Sequence, residues 1–92
     1  MKKYECMVIM DPDKEKDTKE DKLQQLKEII EKNGSIEKMD DWGIRKLAYK
    51  IKKKAEGHYF VIQFTSSPKT ISDLKKQLNI ETDYLRYLIL RR

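Results

Sequence analysis

The chain has 92 residues, 40% of them charged and 38% hydrophobic, which suits one small domain spanning residues 1–92 and leaves no material for a second core. Its single cysteine and single histidine exclude an internal disulfide and a His/Cys metal cluster, and no apolar run is long enough to cross a membrane. The net charge of +5 divides into +1 for residues 1–10, −4 for residues 11–41 and +8 for residues 42–92, so the basic part would attract polyanions, nucleic acid first.

The first third of the chain predicts a strand followed by a helix. Residues 3–10 alternate and are rich in strand formers, and Asp11-Pro12-Asp13 ends the strand because proline cannot continue a ladder. Thr18, with Asp21 three residues later, predicts a capping box at the start of the helix. Asn33-Gly34, which tolerates positive φ, predicts its end. An apolar stripe recurs between them at helical spacing: Leu23, Leu26, Ile29 and Ile30.

Residues 35–65 predict a long β-hairpin. Gly43 interrupts its first strand, where a bulge or a close backbone approach is expected because glycine has no side chain to pack. The basic tip, residues 52–57, turns the chain. Residues 58–65 then return as the second strand, with apolar residues alternating along it.

A second helix and a last strand complete the order β-α-β-β-α-β. The helix begins after Ser66-Ser67-Pro68 and ends near Asn79, and the last strand runs from about Tyr84 to Arg91. This order predicts the ferredoxin-like α+β fold, the split βαβ, with two helices on one face of a four-stranded antiparallel sheet. The other face is then left open, unless a loop or a second copy of the chain covers it.

Strand alternation assigns the side chains to the two faces of the sheet. The set predicted to face the helices is Tyr4, Cys6, Val8, Met10, Phe60, Ile62, Phe64, Tyr87 and Ile89. The set predicted to form an apolar patch on the open face is Met7, Ile9, Val61, Leu88 and Leu90, with Lys3, Arg86 and Arg92 at its rim. Apolar patches with polar rims are typical of contact surfaces.

The sequence carries no recognisable catalytic or metal-binding motif. Acidic residues alternate between Asp11 and Asp17 as calcium ligands do, but Lys16 and Lys22 stand where a calcium loop needs glycine and glutamate. Cys6 is expected to be a buried and unreactive thiol. The sequence therefore predicts no enzyme, no cofactor, no metal and no small-molecule substrate.

Nucleic-acid binding suits the sequence better than catalysis does. Residues 57–64 resemble in part the third-strand signature of RNA-recognition motifs, but the aromatic spacing differs, and Phe60 and Phe64 are expected to point inward, leaving Tyr59 outward. A shaped RNA held at its backbone by lysine and arginine fits better. Two alternatives stay open: the charges serve solubility only, or the domain is a small regulatory module that homodimerises through its open face.

Several segments together resemble the family of bacterial small-subunit ribosomal protein six. They are Lys3-Tyr4-Glu5, Asp11-Pro12, residues 41–51, Gly57-His58-Tyr59-Phe60 and residues 85–92. The run Trp-Gly-x-Arg-x-Leu-Ala-Tyr within residues 41–51 is distinctive, and the segments occur in the right order along the whole chain. Lys50 departs from the family pattern, which usually has proline there.

The resemblance implies a non-catalytic, cytoplasmic, ribosome-associated protein that binds the central domain of 16S rRNA together with ribosomal protein eighteen and does not bind a membrane. The residues then expected to contact RNA phosphates, converging near one end or face of the first and last strands, are Lys2, Lys3, Arg86, Arg91 and Arg92. Tyr59 is expected to make a stacking or sugar contact. Arg45, Lys46 and the apolar patch are expected to contact the partner protein or RNA, although a solvated strand edge that deters aggregation would also explain Arg45 and Lys46.

Overall fold

The computed structural model describes residues 2–80 and 84–92. Its elements, in chain order, are β1 (Lys2–Met10), α1 (Lys16–Lys32), β2 (Gly34–Ile51), β3 (Lys54–Ser66), α2 (Pro68–Ile80) and β4 (Tyr84–Arg91). The strands form one antiparallel sheet in the order β2-β3-β1-β4. The predicted ferredoxin-like α+β fold is confirmed.

The hydrophobic core lies between the two helices and one face of the sheet. The strands contribute Tyr4, Cys6, Val8, Met10, Phe60, Ile62 and Phe64, and the helices contribute Leu23, Leu26, Ile30, Leu74 and Leu78. Tyr87 and Ile89 of β4 pack against this cluster while partly buried, so the predicted helix-facing set is confirmed. Burial of each such side chain stabilises the fold by about 1.5–3 kcal/mol, which makes this layer the main source of stability.

The predicted capping box at the start of α1 is wrong. The helix begins at Lys16, its N-cap is Glu15, which makes no side-chain cap hydrogen bond, and Thr18 already lies in the first turn. Other hydrogen bonds fix the preceding loop instead: the Asp11 carboxylate accepts a hydrogen bond from the Asp13 amide at 2.9 Å, and Lys19 Nζ of the helix donates to the Pro12 carbonyl oxygen at 3.2 Å. These local contacts hold the entry to α1.

The helix ends at Lys32 as predicted, but positive φ is not the reason. Asn33 has a φ of −135°, and Gly34 is absent from the residues with positive φ. A Cβ on Gly34 would lie 2.1 Å from the carbonyl oxygen of Thr65. Glycine is therefore needed here because the backbones of β2 and β3 approach each other closely at the first pair of the hairpin.

The hairpin of β2 and β3 is longer and tighter at its tip than predicted. Ile51 pairs with Lys54, so the turn consists of Lys52 and Lys53 alone rather than residues 52–57. The predicted bulge at Gly43 is confirmed: the register shifts between Asp41 and Gly43, and Gly43 has a φ of 78°. These irregularities bend the hairpin, because a bulge adds residues to one strand only.

The distal part of the hairpin reaches the far edge of the sheet. Lys52 Nζ donates to the Tyr84 carbonyl oxygen at 3.2 Å, and an Arg86 guanidinium nitrogen donates to the Tyr49 hydroxyl at 2.8 Å. Tyr84 and Arg86 begin β4, which β3 and β1 separate from β2 in the sheet. The hairpin therefore curls towards the start of β4 across one end of the open face.

Candidate nucleic-acid and protein interface

The curled hairpin divides the open face into two parts. The part that it covers, here called the covered end, consists of Ile9, Leu47, Tyr49, Tyr59 and Arg86, which surround one depression of about 140 Å³. The part that it leaves free, here called the exposed end, consists of Met7, Trp42, Leu88 and Leu90, which border a second depression together with Glu5 and Val61.

Ile9 and Val61 do not belong to an exposed patch, and the prediction that they do is wrong. Ile9 is 6% exposed and Val61 is 3% exposed. At Ile9, the cause is the close approach of the hairpin: a Cβ placed on Gly57 would lie 2.2 Å from Ile9 Cγ2 and 3.5 Å from Leu47 Cδ2. Val61 lies at the floor of the depression that Trp42 borders. The chain thus covers both side chains with its own atoms.

The exposed end keeps the rest of the predicted patch accessible. Trp42, Leu88 and Leu90 are between 46% and 49% exposed, and Met7 is partly buried beside them. Exposed aromatic and aliphatic side chains of this size, lying together, are typical of an interface. The exposed end is therefore a candidate contact surface.

Trp42 is the one member of this surface that sequence alternation does not identify. It is the extra residue of the bulge, since Asp41 pairs with Phe60 and Gly43 pairs with Tyr59. The Arg45 guanidinium lies 5.4 Å from the centroid of the indole ring, and Arg45 Nε donates to the Trp42 carbonyl oxygen at 3.2 Å. Gly43, which predicts the bulge, is the only sequence feature that could have indicated the unusual position of Trp42.

The cations predicted to contact RNA form two groups rather than one. Lys2 and Lys3 begin β1, and Arg91 and Arg92 come at the end of β4, where the Arg92 amide donates to the Lys3 carbonyl oxygen at 2.8 Å. Arg86 instead pairs with Ile9 near the other end of β1. Six residues of strand separate Arg86 from Arg92, or about 20 Å.

The group of four is itself split between the two faces. Arg91 pairs with Tyr4, whose side chain is in the core, so alternation puts Arg91 and Lys2 on the helix side. Lys3 and Arg92 are on the open side. The five cations were expected to converge near one end or face. They do not share a face, and Arg86 lies apart, but Lys2, Lys3, Arg91 and Arg92 share one end of the sheet. We call these four residues the basic edge.

Two of the predicted arginines have structural partners. Arg92 pairs with Glu37, whose carboxylate also accepts a hydrogen bond from the Thr65 hydroxyl at 2.9 Å. The hydrogen bonds from Arg92 and Thr65 lower the pKa of Glu37. Arg86, as described, donates to Tyr49 and so holds the hairpin. Tyr59 is partly buried beside Arg86 in the covered end, and Lys46 is exposed on β2.

A polar network that the sequence did not suggest joins the hairpin to α1. Lys19 Nζ lies 2.8 Å from His58 Nδ1, and His58 Nε2 lies 2.6 Å from Asp41 Oδ1. Because an ammonium group only donates hydrogen bonds, Nδ1 accepts and the ring N–H on Nε2 donates to Asp41. Burial works to raise the pKa of Asp41, but hydrogen bonds from His58 and the Gly43 amide outweigh it, and the pKa is lowered.

The acidic turn after β1 is likewise tied to the hairpin. Lys54 Nζ lies 2.6 Å from Asp13 Oδ2 and 3.5 Å from Asp11 Oδ1. The hydrogen bond from Lys54 is the main cause that lowers the pKa of Asp13, and the same bond raises the pKa of Lys54. These carboxylates neutralise one cation of the hairpin rather than binding calcium.

The described residues contain no other chemistry that would suggest catalysis. Burial raises the pKa of the Cys6 thiol to about 12, so this cysteine is unreactive, as the sequence predicts. Within residues 2–80 and 84–92, no three His, Cys, Asp or Glu side chains group so as to hold a metal ion. No helix in the same ranges has the length and apolar character needed to span a bilayer.

Comparison with known proteins identifies the family. The sequence model of the family described as Ribosomal protein S6 matches residues 3–91. Small ribosomal subunit protein bS6 of Paenarthrobacter aurescens (strain TC1) is 47% identical over 92 residues, which cover 99% of this chain and 91% of that protein. The same protein of Caldanaerobacter subterraneus subsp. tengcongensis is 40% identical over 92 residues, which cover 99% of this chain and 97% of that one.

A solved structure agrees with the sequence comparisons. The crystal structure of 30S ribosomal protein S6 from Thermotoga maritima matches the fold with a TM-score of 0.93 at 33% sequence identity, and the match covers 99% of this chain and 87% of that chain. The resemblance to the family of bacterial small-subunit ribosomal protein six is thereby confirmed. The chain belongs to the ribosomal protein S6 family, a structural and non-catalytic family of the small ribosomal subunit.

Proposed function

We propose that this ribosomal protein binds the central domain of 16S rRNA together with ribosomal protein eighteen. The exposed end of the open face contacts the partner protein, and the basic edge contacts RNA phosphates. The observation that carries the proposal is the cluster of large apolar side chains, each about half exposed, that the curled hairpin leaves free. Membership of a ribosomal protein family supports the choice of ligands.

The composition of the exposed end favours a protein partner over bare RNA. Tryptophan and arginine are both enriched among the residues that contribute most to binding energy in protein interfaces. Trp42 and the neighbouring Arg45 supply both types here. Leu88 and Leu90 add apolar area that gains about 25 cal/mol per Å² when a partner covers it. RNA offers few apolar groups to match such a surface, because its outer surface is mostly phosphate and sugar.

The basic edge supports RNA binding through charge. Lys2, Lys3 and Arg91 are exposed. Contacts to phosphates position a protein without reading sequence, and each neutralised phosphate steepens the dependence of binding on salt. Arg92 adds a fourth cation, although its ion pair with Glu37 occupies part of its donor capacity.

The test is reconstitution of the protein with a central-domain transcript and ribosomal protein eighteen at several salt concentrations. Replacing Lys2, Lys3 and Arg91 with glutamine should reduce the slope of log affinity against log salt by about 0.7–0.9 for each lost phosphate contact. The control replaces three exposed lysines of α2, Lys69, Lys75 and Lys76, with glutamine. It removes three positive charges, as the first variant does, and should leave the salt slope unchanged. An unchanged slope in the first variant would refute the RNA assignment.

The partner surface needs a separate variant. Replacing Trp42 and Leu88 with alanine should weaken the increase in RNA affinity that ribosomal protein eighteen provides, while leaving the salt slope of the protein alone unaltered. Sedimentation distinguishes the remaining alternative, homodimerisation through the open face. A stable homodimer that dissociates in the same variant, combined with no salt-dependent RNA affinity, would contradict the proposed function.

A further inference from the structure

The distal half of the hairpin carries an unusual concentration of positive charge. Residues 45–54 contain six cations and no acidic residue. Two of the six are engaged with a carboxylate or an aromatic ring: Lys54 is paired with Asp11 and Asp13, and Arg45 lies on Trp42. The other four are exposed, and no carboxylate of residues 2–80 or 84–92 forms a salt bridge with them. They are Lys46, Lys50, Lys52 and Lys53.

The turn residues are not those that the backbone would favour. Lys52 has a φ of 49° and Lys53 has a φ of 67°, and no other non-glycine residue among those described has a positive φ. Two-residue hairpin turns with positive φ at both positions strongly favour Asn-Gly, because a Cβ disfavours the left-handed region. Two lysines stand at this tip against the conformational preference, which points to a role for their charge.

The tip is also held in place. Lys52 Nζ donates to the Tyr84 carbonyl oxygen, and Arg86 donates to the Tyr49 hydroxyl, so the turn and the end of β2 both contact the start of β4. The exposed amines therefore project from a fixed scaffold. Such preorganisation reduces the entropy that a ligand must remove when it binds.

We propose that Lys46, Lys50, Lys52 and Lys53, here called the tip cluster, form a second phosphate-binding surface for RNA. This inference rests on the proposed function and extends it, because the tip cluster lies at the end of the sheet opposite the basic edge. Seven residues of β1 separate Lys3 from Met10, or about 23 Å, and the tip extends beyond Met10, whose partner in β3 is His58. The two basic surfaces are thus too far apart to share one phosphate group, and together they bridge separate segments of RNA.

RNA fits the tip better than an anionic membrane does. Peripheral membrane segments combine cations with apolar side chains that enter the lipid. Both residues of the turn are lysines, Ile51 next to them is only partly exposed, and the exposed ring of Tyr49 is held at its hydroxyl by Arg86 of β4. Exposed amines whose neighbouring apolar side chains are partly buried or tied to the sheet suit a phosphate backbone.

The experiment compares three proteins on a central-domain transcript across salt concentrations: the wild type, the tip variant K46Q/K50Q/K53Q and the matched control K69Q/K75Q/K76Q. The tip variant should lower the salt slope by about 2–3, which is three contacts at about 0.7–0.9 each, and the control should not change it. Absence of binding by the wild type would refute the proposed function. Normal wild-type binding with an unchanged slope in the tip variant, or an equal loss in the control, would refute this inference alone.

A single substitution, Lys53→Gly, separates charge from folding. Glycine suits the positive φ at this position, so the variant should have a higher Tm than the wild type. It should nevertheless lower the salt slope by about 0.7–0.9. A higher Tm with an unchanged slope would overturn the role of Lys53, and tip-dependent binding to phosphatidylserine vesicles in preference to the transcript would overturn the choice of RNA.

Discussion

In the covered end and the exposed end of the open face, the side chains that form the sheet surface differ in accessibility. Ile9 of β1 is nearly buried, whereas Leu88, two residues along β4 from the partner of Ile9, is about half exposed. Both side chains are on the face without helices. The difference arises because the distal hairpin lies over one end only. Which residues a partner can touch is therefore decided by the path of β2, not by strand alternation.

The path of β2 depends on its irregular register. The bulge at Trp42 adds one residue, and farther along, residues 47–50 stand opposite the single residue between Lys54 and Glu56 of β3. Extra residues on one strand of a pair increase its bend and twist. The bend brings Leu47 and Tyr49 over the covered end and leaves Trp42 at the border of the exposed end.

The largest expected effect is the difference between two truncations on this face. Ile9→Ala should lower the free energy of unfolding by about 2–4 kcal/mol, because it leaves a cavity under the hairpin. Leu88→Ala should cost less than about 1 kcal/mol, since its side chain is already half in water. Urea denaturation at neutral pH measures both. Equal losses would contradict the division of the open face into two ends.

The close approach of Gly57 to Ile9 offers a second test of the difference between the covered end and the exposed end. Gly57→Ala should cost about 1–3 kcal/mol, because the new methyl group would overlap Ile9 Cγ2 and force the hairpin outwards. Combining it with Ile9→Ala removes that atom, and the nearest part of Ile9 is then Cβ at 3.8 Å. The double variant should therefore be more stable than the sum of the two single changes predicts. Simple additivity would show that the hairpin does not contact Ile9 in solution.

The link between Arg86 and Tyr49 should have a smaller effect. Tyr49→Phe removes the hydroxyl that accepts the 2.8 Å hydrogen bond and should cost about 0.5–1.5 kcal/mol at most, because both groups are exposed. Amide hydrogen exchange of residues 47–53 should become faster, with little change in the core strands. If exchange stays unchanged across the hairpin, then this bond does not hold it.

The smallest effect concerns Asp41, beside the bulge in the middle of β2, and is seen only in acid. The pKa of Asp41 is lowered in the folded protein from its ordinary value of 3.8, so below that value the unfolded state binds more protons. The contribution of Asp41 to stability is fully present above about pH 5 and is lost as the pH falls through its folded pKa.

Replacing the carboxylate tests this directly. Asp41→Asn should be less stable than the wild type at pH 7, and the difference between the two should shrink as the pH falls from about 5 to 2. Asp13 and Glu37 also have lowered pKa values. Their contributions to the pH dependence of stability are the same in both proteins, so they cancel when the two stabilities are subtracted. A difference that is constant across this range would exclude Asp41 as a source of acid sensitivity.

The sequence predicts the layers of this fold well and the course of its hairpin poorly. The period-two pattern of Phe60, Ile62 and Phe64 identifies the core face because β3 is regular there and pairs on both sides. The turn at Lys52 and Lys53 could not be placed, since lysine carries no turn signal. Bulge geometry is fixed by packing across the sheet, so neither the position of Trp42 nor the burial of Ile9 follows from local sequence.

The site was predicted in part for the same reason. Leu88 and Leu90 were correctly assigned to the open face because β4 pairs regularly with β1 from Arg86 onwards, and their exposure agrees with that assignment. The separation of Arg86 from Arg92 follows directly from strand length, but it becomes evident only when both are placed on one strand. Of the tip cluster, Lys52 and Lys53 were expected in a basic turn over residues 52–57, and only their positive φ values distinguish this turn from an ordinary solvated loop.

The pairing of β1 with β4 affects how this protein folds during translation. Tyr4 lies opposite Arg91, so the first strand to be synthesised waits for the last before its second edge is filled. During translation, β1 can pair with β3 but keeps a row of unsatisfied amides and carbonyls next to apolar side chains, an arrangement prone to association with other chains. The sheet is therefore completed only when β4 leaves the exit tunnel of the translating ribosome. The folded protein then becomes part of a different ribosome.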